Sequence, residues 1–267
     1  MKFSLFLFFI CLSGVFAVSC SDHSPTPRLD EITDLSSEET VSLKLAYDSK
    51  GRLIQLGAAA ISYGNDNIEI ICNDSILGYG LYHTIVFKLE KGRIVSSMSR
   101  CQTKINRKMA EVNKINHYTY APKQIIVDSK YYDSKDNRLL KNLHEVRELG
   151  EDGKMVKVVY SDTERGGGVA SYKYDSNLAC NANLNMQAFS YPANGLDDLL
   201  VYLLNLIDIP RINVLPDEVN HTYTNGVTHL YNENCCLDDD RLTKLEVMLN
   251  YEILISRLNF KYENSNK

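Results

Sequence analysis

Past residue 40, apolar residues recur at every second position. Val41, Leu43, Leu45 and Tyr47 alternate with Ser42, Lys44 and Ala46. Leu81, His83, Ile85, Phe87 and Leu89 share one face of a second run, and Leu245, Val247, Leu249, Tyr251 and Ile253 share one face of a third. Leu258, Phe260 and Tyr262 repeat the pattern near the end. Successive side chains of a strand point to opposite faces, so this period makes half-buried strands with one wet side, the antiparallel arrangement. The 17 tyrosines suit such strands, because a phenol covers apolar surface and keeps its hydroxyl in water.

The turns recur in kind. Tyr47-Asp48-Ser49-Lys50-Gly51-Arg52-Leu53 joins two apolar runs, and Tyr132-Asp133-Ser134-Lys135-Asp136-Asn137-Arg138-Leu139 nearly repeats it. Looser copies lie at residues 89–94 and 149–155. Asp, Asn and Gly supply the positive φ that tight hairpins need. Spacing between copies is irregular, which describes a series of hairpins rather than a solenoid. Asn225-Gly226 marks a further hairpin, and Asp238-Asp239-Asp240 reads as a turn before a strand. Residues 101–116 are polar with weak periodicity and receive no assignment.

One segment has helical spacing. Leu196, Leu199, Leu200, Leu203, Leu204 and Ile207 fall three and four apart and form one stripe. Asn194 or an early aspartate would cap its start, Asp197 and Asp198 suit the positive end of its dipole, and Pro210 would stop it. Burying six such side chains contributes on the order of 1.5–3 kcal/mol each before entropy is subtracted. The expected fold is mainly β: an antiparallel meander of hairpins, as an open curved sheet or partial barrel, with one amphipathic helix near 196–209 packed on it. The whole is one domain over residues 41–263.

The first residues read as a secretory leader. Lys2 precedes an apolar run over 3–12, too short to cross a bilayer, and small residues follow. Ala17-Val18-Ser19-Cys20 resembles a bacterial lipobox, although its first residue is Ala rather than Leu. Cleavage before Cys20 would leave that thiol to carry a lipid; cleavage after Ala17 would release a soluble protein. Residues 20–40, with Pro25 and Pro27, would then be a flexible tether. Losing residues 1–19 removes Lys2 and leaves 28 basic against 34 acidic residues. A mildly acidic chain without a basic block has no electrostatic footprint for nucleic acid.

Beyond Cys11 and Cys20, five cysteines remain: Cys72, Cys101, Cys180, Cys235 and Cys236. An exported compartment permits disulfides, and an odd count leaves a thiol over. Cys72 would pair with Cys101, and Cys180 with one of the vicinal pair such as Cys235; the alternative is that they are small buried apolar residues. No pair has the spacing of a zinc knuckle.

The lipobox-like Cys20-Ser21-Asp22 and the Tyr-Asp-Ser-Lys-Gly-Arg-Leu turn together resemble Bacteroidetes surface lipoproteins with a YD-repeat-like domain of unknown function. That resemblance implies a repeat-built antiparallel β fold, an outer-membrane address and no catalytic residues. It also implies a strand over 180–185, a helix over 196–209 and a following segment over 215–219.

No named chemistry emerges. Asp238 to Asp240, Asp197-Asp198 and Glu38-Glu39 lack calcium-loop spacing. The six histidines show no H-x-x-x-H or H-x-H, though His221 and His229 flank the Asn225-Gly226 turn and would approach each other across it. Arg165-Gly166-Gly167-Gly168 has no following Lys-Ser or Lys-Thr and reads as a flexible hairpin loop. The expectation is therefore a non-enzymatic, cofactor-free, lipid-anchored envelope module that binds or scaffolds. Its partners would be the membrane, through the lipid, and a glycan or envelope protein. A secreted hydrolase with loop acids and a carrier of an apolar ligand are the alternatives. Converging carboxylates in a cleft would favour the first, and a cavity between helix and sheet the second.

Overall fold

The computed structural model describes residues 28–263 apart from 37–39, 73, 75, 77–80, 165, 177–178, 181–182, 186–188, 190–194 and 208–213. Among the described residues, sixteen strands close into one barrel. They are β1 (Leu29–Asp34), β2 (Val41–Tyr47), β3 (Leu53–Leu56), β4 (Ala59–Tyr63), β5 (Asn67–Ile71), β6 (Tyr82–Glu90), β7 (Arg93–Ile105) and β8 (Lys108–Ala121). The second half comprises β9 (Gln124–Asp133), β10 (Leu139–Leu149), β11 (Met155–Asp162), β12 (Gly166–Lys173), β13 (Glu218–Tyr223), β14 (Thr228–Asp238), β15 (Arg241–Leu249) and β16 (Ile253–Tyr262). Each strand pairs antiparallel with its sequence neighbour, and β1 closes the ring on β16 through Leu29 against Tyr262 and Ile32 against Phe260.

The meander is as expected, but it is closed rather than open. Closure also moves the domain boundary: β1 lies within the stretch read as tether, so the barrel begins at Leu29. The unassigned 101–116 stretch belongs to β7 and β8. The apolar set Leu245 to Ile253 does not share one strand, because β15 ends at Leu249 and Asn250 and Tyr251 turn with positive φ. Asp239 and Asp240 do turn between β14 and β15, both at positive φ.

The glycine run is not a loop. Gly166–Lys173 is β12, and Arg165 lies outside the described residues. The reason is steric. A Cβ on Gly168 would collide with the hydroxyl of Tyr160 and the carbonyl of Thr222, so the missing side chain lets the Tyr160 ring lie across the strand.

The helix α1 (Leu196–Leu203) is inside the barrel rather than on it. It sits in the long connection between β12 and β13, and all eight of its residues are buried. Its stripe is therefore not its only dry side: Val201 and Tyr202, off the stripe, are as buried as the leucines. Gly195 stands at the N-cap without a side-chain cap, and Asn194 and Pro210 lie outside the described residues. No described residue between 180 and 185 forms a strand, contrary to the family-based expectation; an isolated bridge joins Ala179 to Val214 instead.

The two faces of the wall differ in chemistry. Inward positions on β2 to β6 carry Leu43, Leu45, Leu56, Ile61, Ile70, Ile85 and Phe87, all buried. Val219, Leu245, Leu258 and Phe260 continue this apolar lining on β13 to β16. On β7 to β10 the apolar lining is interrupted by buried polar residues: Ser97, Ser99, Lys114, Asn116, Ser129, Glu145 and Arg147. Outward positions carry charge at mid-strand, including Lys44, Glu69, Lys88, Arg100 and Lys130, all exposed. Several pair across strands: Arg100 with Glu111 at 2.6 Å, His144 with Asp128 at 2.7 Å, and Arg257 with Glu246 at 2.7 Å.

Candidate functional site

Two places inside the barrel carry chemistry. The first is the contact between α1 and the polar wall. Asp197 Oδ1 accepts from Lys114 Nζ at 3.0 Å and from the Tyr82 hydroxyl at 3.2 Å, and Oδ2 accepts from Asn116 Nδ2 at 2.7 Å. Asn116 also donates to Ser97 Oγ at 2.8 Å. One residue on, Asp198 accepts from Arg147 Nη2 at 2.9 Å, while the same guanidinium binds Glu145 at 2.6 Å and donates from Nη1 to the Tyr202 hydroxyl at 2.9 Å. Lys114 and Arg147 also sit over the rings of Tyr131 and Tyr202, at 5.5 and 5.4 Å.

Every member of this group is buried. Lys114 and Asp197 are 1% and 0% exposed at the side chain. Burial alone would pull the Lys114 pKa down, but the Asp197 carboxylate, aided by Tyr131 and Tyr82, holds it well above the usual lysine value. Burial and the same carboxylate push the Tyr82 phenol well up. The carboxylates do converge, yet Asp197, Asp198 and Glu145 are each engaged by a wall cation. The geometry fastens the helix to β6, β8 and β10. Its charged wall members, Lys114, Glu145 and Arg147, were missed in the sequence, as were Tyr82, Asn116, Ser97 and Tyr202. Alternation held the signal, since Val112, Lys114, Asn116 and Tyr118 occupy successive positions on one face.

The second place is an aromatic row on the inward face near the end of the barrel remote from the chain termini. His221 and His229 face each other in register across β13 and β14, as the hairpin reading required. Tyr223 stacks on His221 at 4.3 Å and meets His229 edge-on at 5.3 Å. Tyr160 extends the row from β11, its ring 5.3 Å from His221 and its hydroxyl 2.8 Å from Nε2. Tyr231 ends the row 6.3 Å from His229. All five rings are half-buried. Burial, then the neighbouring His229, lowers the His221 pKa.

Cys20 lies outside the described residues. Cys72, Cys101, Cys180, Cys235 and Cys236 carry free thiols, so neither the Cys72–Cys101 nor the Cys180–Cys235 bond is formed. Burial pushes the Cys101 and Cys180 thiols up to about 11 and Cys235 up to about 12. Cys72 donates to the Asp74 carbonyl at 3.1 Å. Among the described residues, no group of three or more His, Cys, Asp or Glu side chains is placed to hold a metal ion.

A family model described only as "-like" matches residues 29–260, the span of the barrel from β1 into β16. The chain belongs to that family. Among solved structures, the family member resembles a porin-like protein from Bacteroides vulgatus ATCC 8482, with 29% identity and a TM-score of 0.82 over 89% of this chain and 99% of that one. It also resembles a porin-like protein from Bacteroides uniformis ATCC 8492, with a TM-score of 0.55 at 13% identity over 90% and 98% of the two chains. The second likeness speaks to fold alone. No curated protein matches. The first likeness supports a β-barrel family with a relative in Bacteroides.

Proposed function

We propose that this barrel is a non-enzymatic binding module of the outer membrane, held there by a lipid on Cys20 rather than by its own wall. The observation that carries this reading is the polarity of the wall. A membrane-spanning barrel turns an apolar band about 25 Å tall toward lipid, and Arg or Lys at the bilayer midplane costs about 2–4 kcal/mol each. Here most large apolar residues face inward, and the outward face mixes exposed Lys44, Lys88, Arg100 and Lys130 with scattered apolar residues such as Ile71, Met98 and Ile255. Strand length agrees on one side of the ring, although β7 to β10, at 10 to 14 residues, are long enough to span. β3, β4 and β5 have 4, 5 and 5 residues, whereas a spanning strand needs about 9–11.

A pore reading, which the names of the relatives invite, meets a second obstacle. The lumen holds α1, pinned by two ion-paired aspartates. The relatives' names still support an outer-membrane address, and the lipobox-like Cys20 supplies a way to reach it without insertion. Residues 20–27 span at most roughly 30 Å when extended. β1 starts and β16 ends at the same rim of the barrel, so the tether would leave that rim nearest the lipid. The aromatic row would then face away from the membrane.

The test is intact mass and membrane fractionation of native protein beside Cys20→Ala, with conductance of planar bilayers as a third measurement. A lipid-sized mass on Cys20, release of the variant into the soluble fraction and no conductance are expected. Mature protein that starts at Val18, or Cys20→Ala protein that stays in the membrane and conducts ions, would overturn the reading.

A further inference from the structure

We infer that the row Tyr160–His221–Tyr223–His229–Tyr231 is a binding site for the pyranose rings of a neutral oligosaccharide. The inference rests on the binding-module reading and names its ligand class. Three observations carry it.

First, the row is amphipathic in the way a sugar is. Each of its rings has an apolar face and a polar edge, a phenol hydroxyl or an imidazole nitrogen. A pyranose presents C–H groups on its faces and hydroxyls around its rim. Stacking plus edge hydrogen bonding matches both at once. The five rings meet one another in unbroken sequence, with Val158, Ala170 and Val219 bordering them on the same face.

Second, the row is reachable. All five rings are half-buried on a wall whose other inward residues are mostly buried. The ladder between β14 and β15 stops at Tyr231 against Leu249, so the β13–β14 hairpin continues past the β15–β16 turn without a partner on that side. His221, Tyr223 and His229 lie on this overhanging part.

Third, the backbone is shaped around the row. Gly168 stands beneath the Tyr160 hydroxyl, where any Cβ would collide, so the ring lies flat enough to meet His221. Tyr160 also sits in register with Glu145 of the ion network, which braces that end of the row.

The experiment uses the soluble mature chain carrying Cys20→Ala, with maltohexaose and cellohexaose as probes, read by saturation-transfer NMR and titration calorimetry. Wild-type protein should bind at least one of them. Tyr223→Leu, which keeps bulk and removes the ring, should weaken binding by about tenfold or more, the equivalent of about 1.4 kcal/mol. Tyr223→Phe should stay within about threefold. Tyr132→Ala, on the outward face of β9, should leave binding unchanged. Circular dichroism and a melting curve on each variant separate loss of the site from loss of the fold. His229→Leu gives a second variant should Tyr223→Leu not fold. Absence of binding to both probes, or equal binding by wild type, Tyr223→Leu and His229→Leu, would overturn the inference. That failure is distinct from failure of the anchor, which fractionation reads independently.

Discussion

Asp197 of the lumen helix and Lys114 of β8 form an ion pair of 3.0 Å with both side chains essentially removed from solvent. Pairs this buried gain little over an apolar pair of the same volume, because desolvating two ions offsets their attraction. Removing one partner is different, since it strands a charge. Lys114→Met should therefore destabilise the barrel by about 3–5 kcal/mol in urea unfolding. Lys114→Met with Asp197→Asn should recover a large part of that loss. Additive losses in the double variant would mean the two groups do not act as a pair.

Gly195 makes a sharper steric prediction. Its φ is +151°, and a Cβ there would run into the Tyr82 hydroxyl and the Asp197 carboxylate. Backbone strain of this kind costs about 1–3 kcal/mol before the collision is counted. Gly195→Ala should lower the melting temperature clearly, whereas Gly92→Ala, with open space around its Cβ, should carry only the cost of its φ of +79°.

Stability should fall in alkali. Burial raises the phenols of Tyr82 and Tyr172 well above 10.0, and pushes Tyr131 up to about 12. Between the unfolded and folded values the native state holds the extra proton, so its advantage is whole below pH 10 and drains as pH rises. Lys114, raised for a different reason, works in the same direction above 10.5. The rise of Tyr131 to about 12 alone corresponds to roughly 2–3 kcal/mol by pH 12. Urea midpoints measured from pH 8 to 12 check the slope. A flat profile above pH 10 would contradict the burial of these rings.

On the acid side His221 has the opposite sign. Its folded pKa lies below 6.5, so the unfolded chain takes up the proton first, and stability should decline as pH falls through that region. His221→Gln should flatten this part of the profile, measured by thermal melts between pH 5 and 7.

Thiol labelling offers a direct check of the interior. Cys236 is exposed, while Cys72, Cys101 and Cys180 are buried. Iodoacetamide on folded, reduced protein should modify Cys236 first, by peptide mass spectrometry. Modification of Cys101 at a comparable rate would place it outside the core.

Much of the architecture is legible in the residue pattern. Alternation at Leu43, Leu45, Ile85 and Phe87 marks which face is dry, and the Asp48–Gly51 and Asn225-Gly226 turns fall where hairpins bend. Closure is not legible. It depends on Leu29 meeting Tyr262, a pairing of distant residues in strands with no local signature of partnership. The helix is half legible. Its leucines give the spacing, but Tyr202 lies off the stripe and is buried too, its hydroxyl held by Arg147 of the wall. Asp197 and Asp198 read naturally as dipole partners at a helix start. Only the inward Lys114 and Arg147, on strands far away in sequence, turn them into fasteners. The aromatic row was half visible too: the His221 and His229 approach follows from the turn, but Tyr160 joins it only because β12 has glycine at 168.

The position of the helix in the chain dictates an order of assembly. It lies between β12 and β13, so twelve strands precede it and four follow. Every ladder except the last joins neighbours along the chain, and only β1 with β16 must find each other over the whole length. Such long-range contacts form late, because loop-closure entropy is met before they repay it. A finished ring would offer a bulky, charged helix no easy way in. On that order of contacts the helix would act as a mandrel, with the growing sheet curling around it and the seam stitched last.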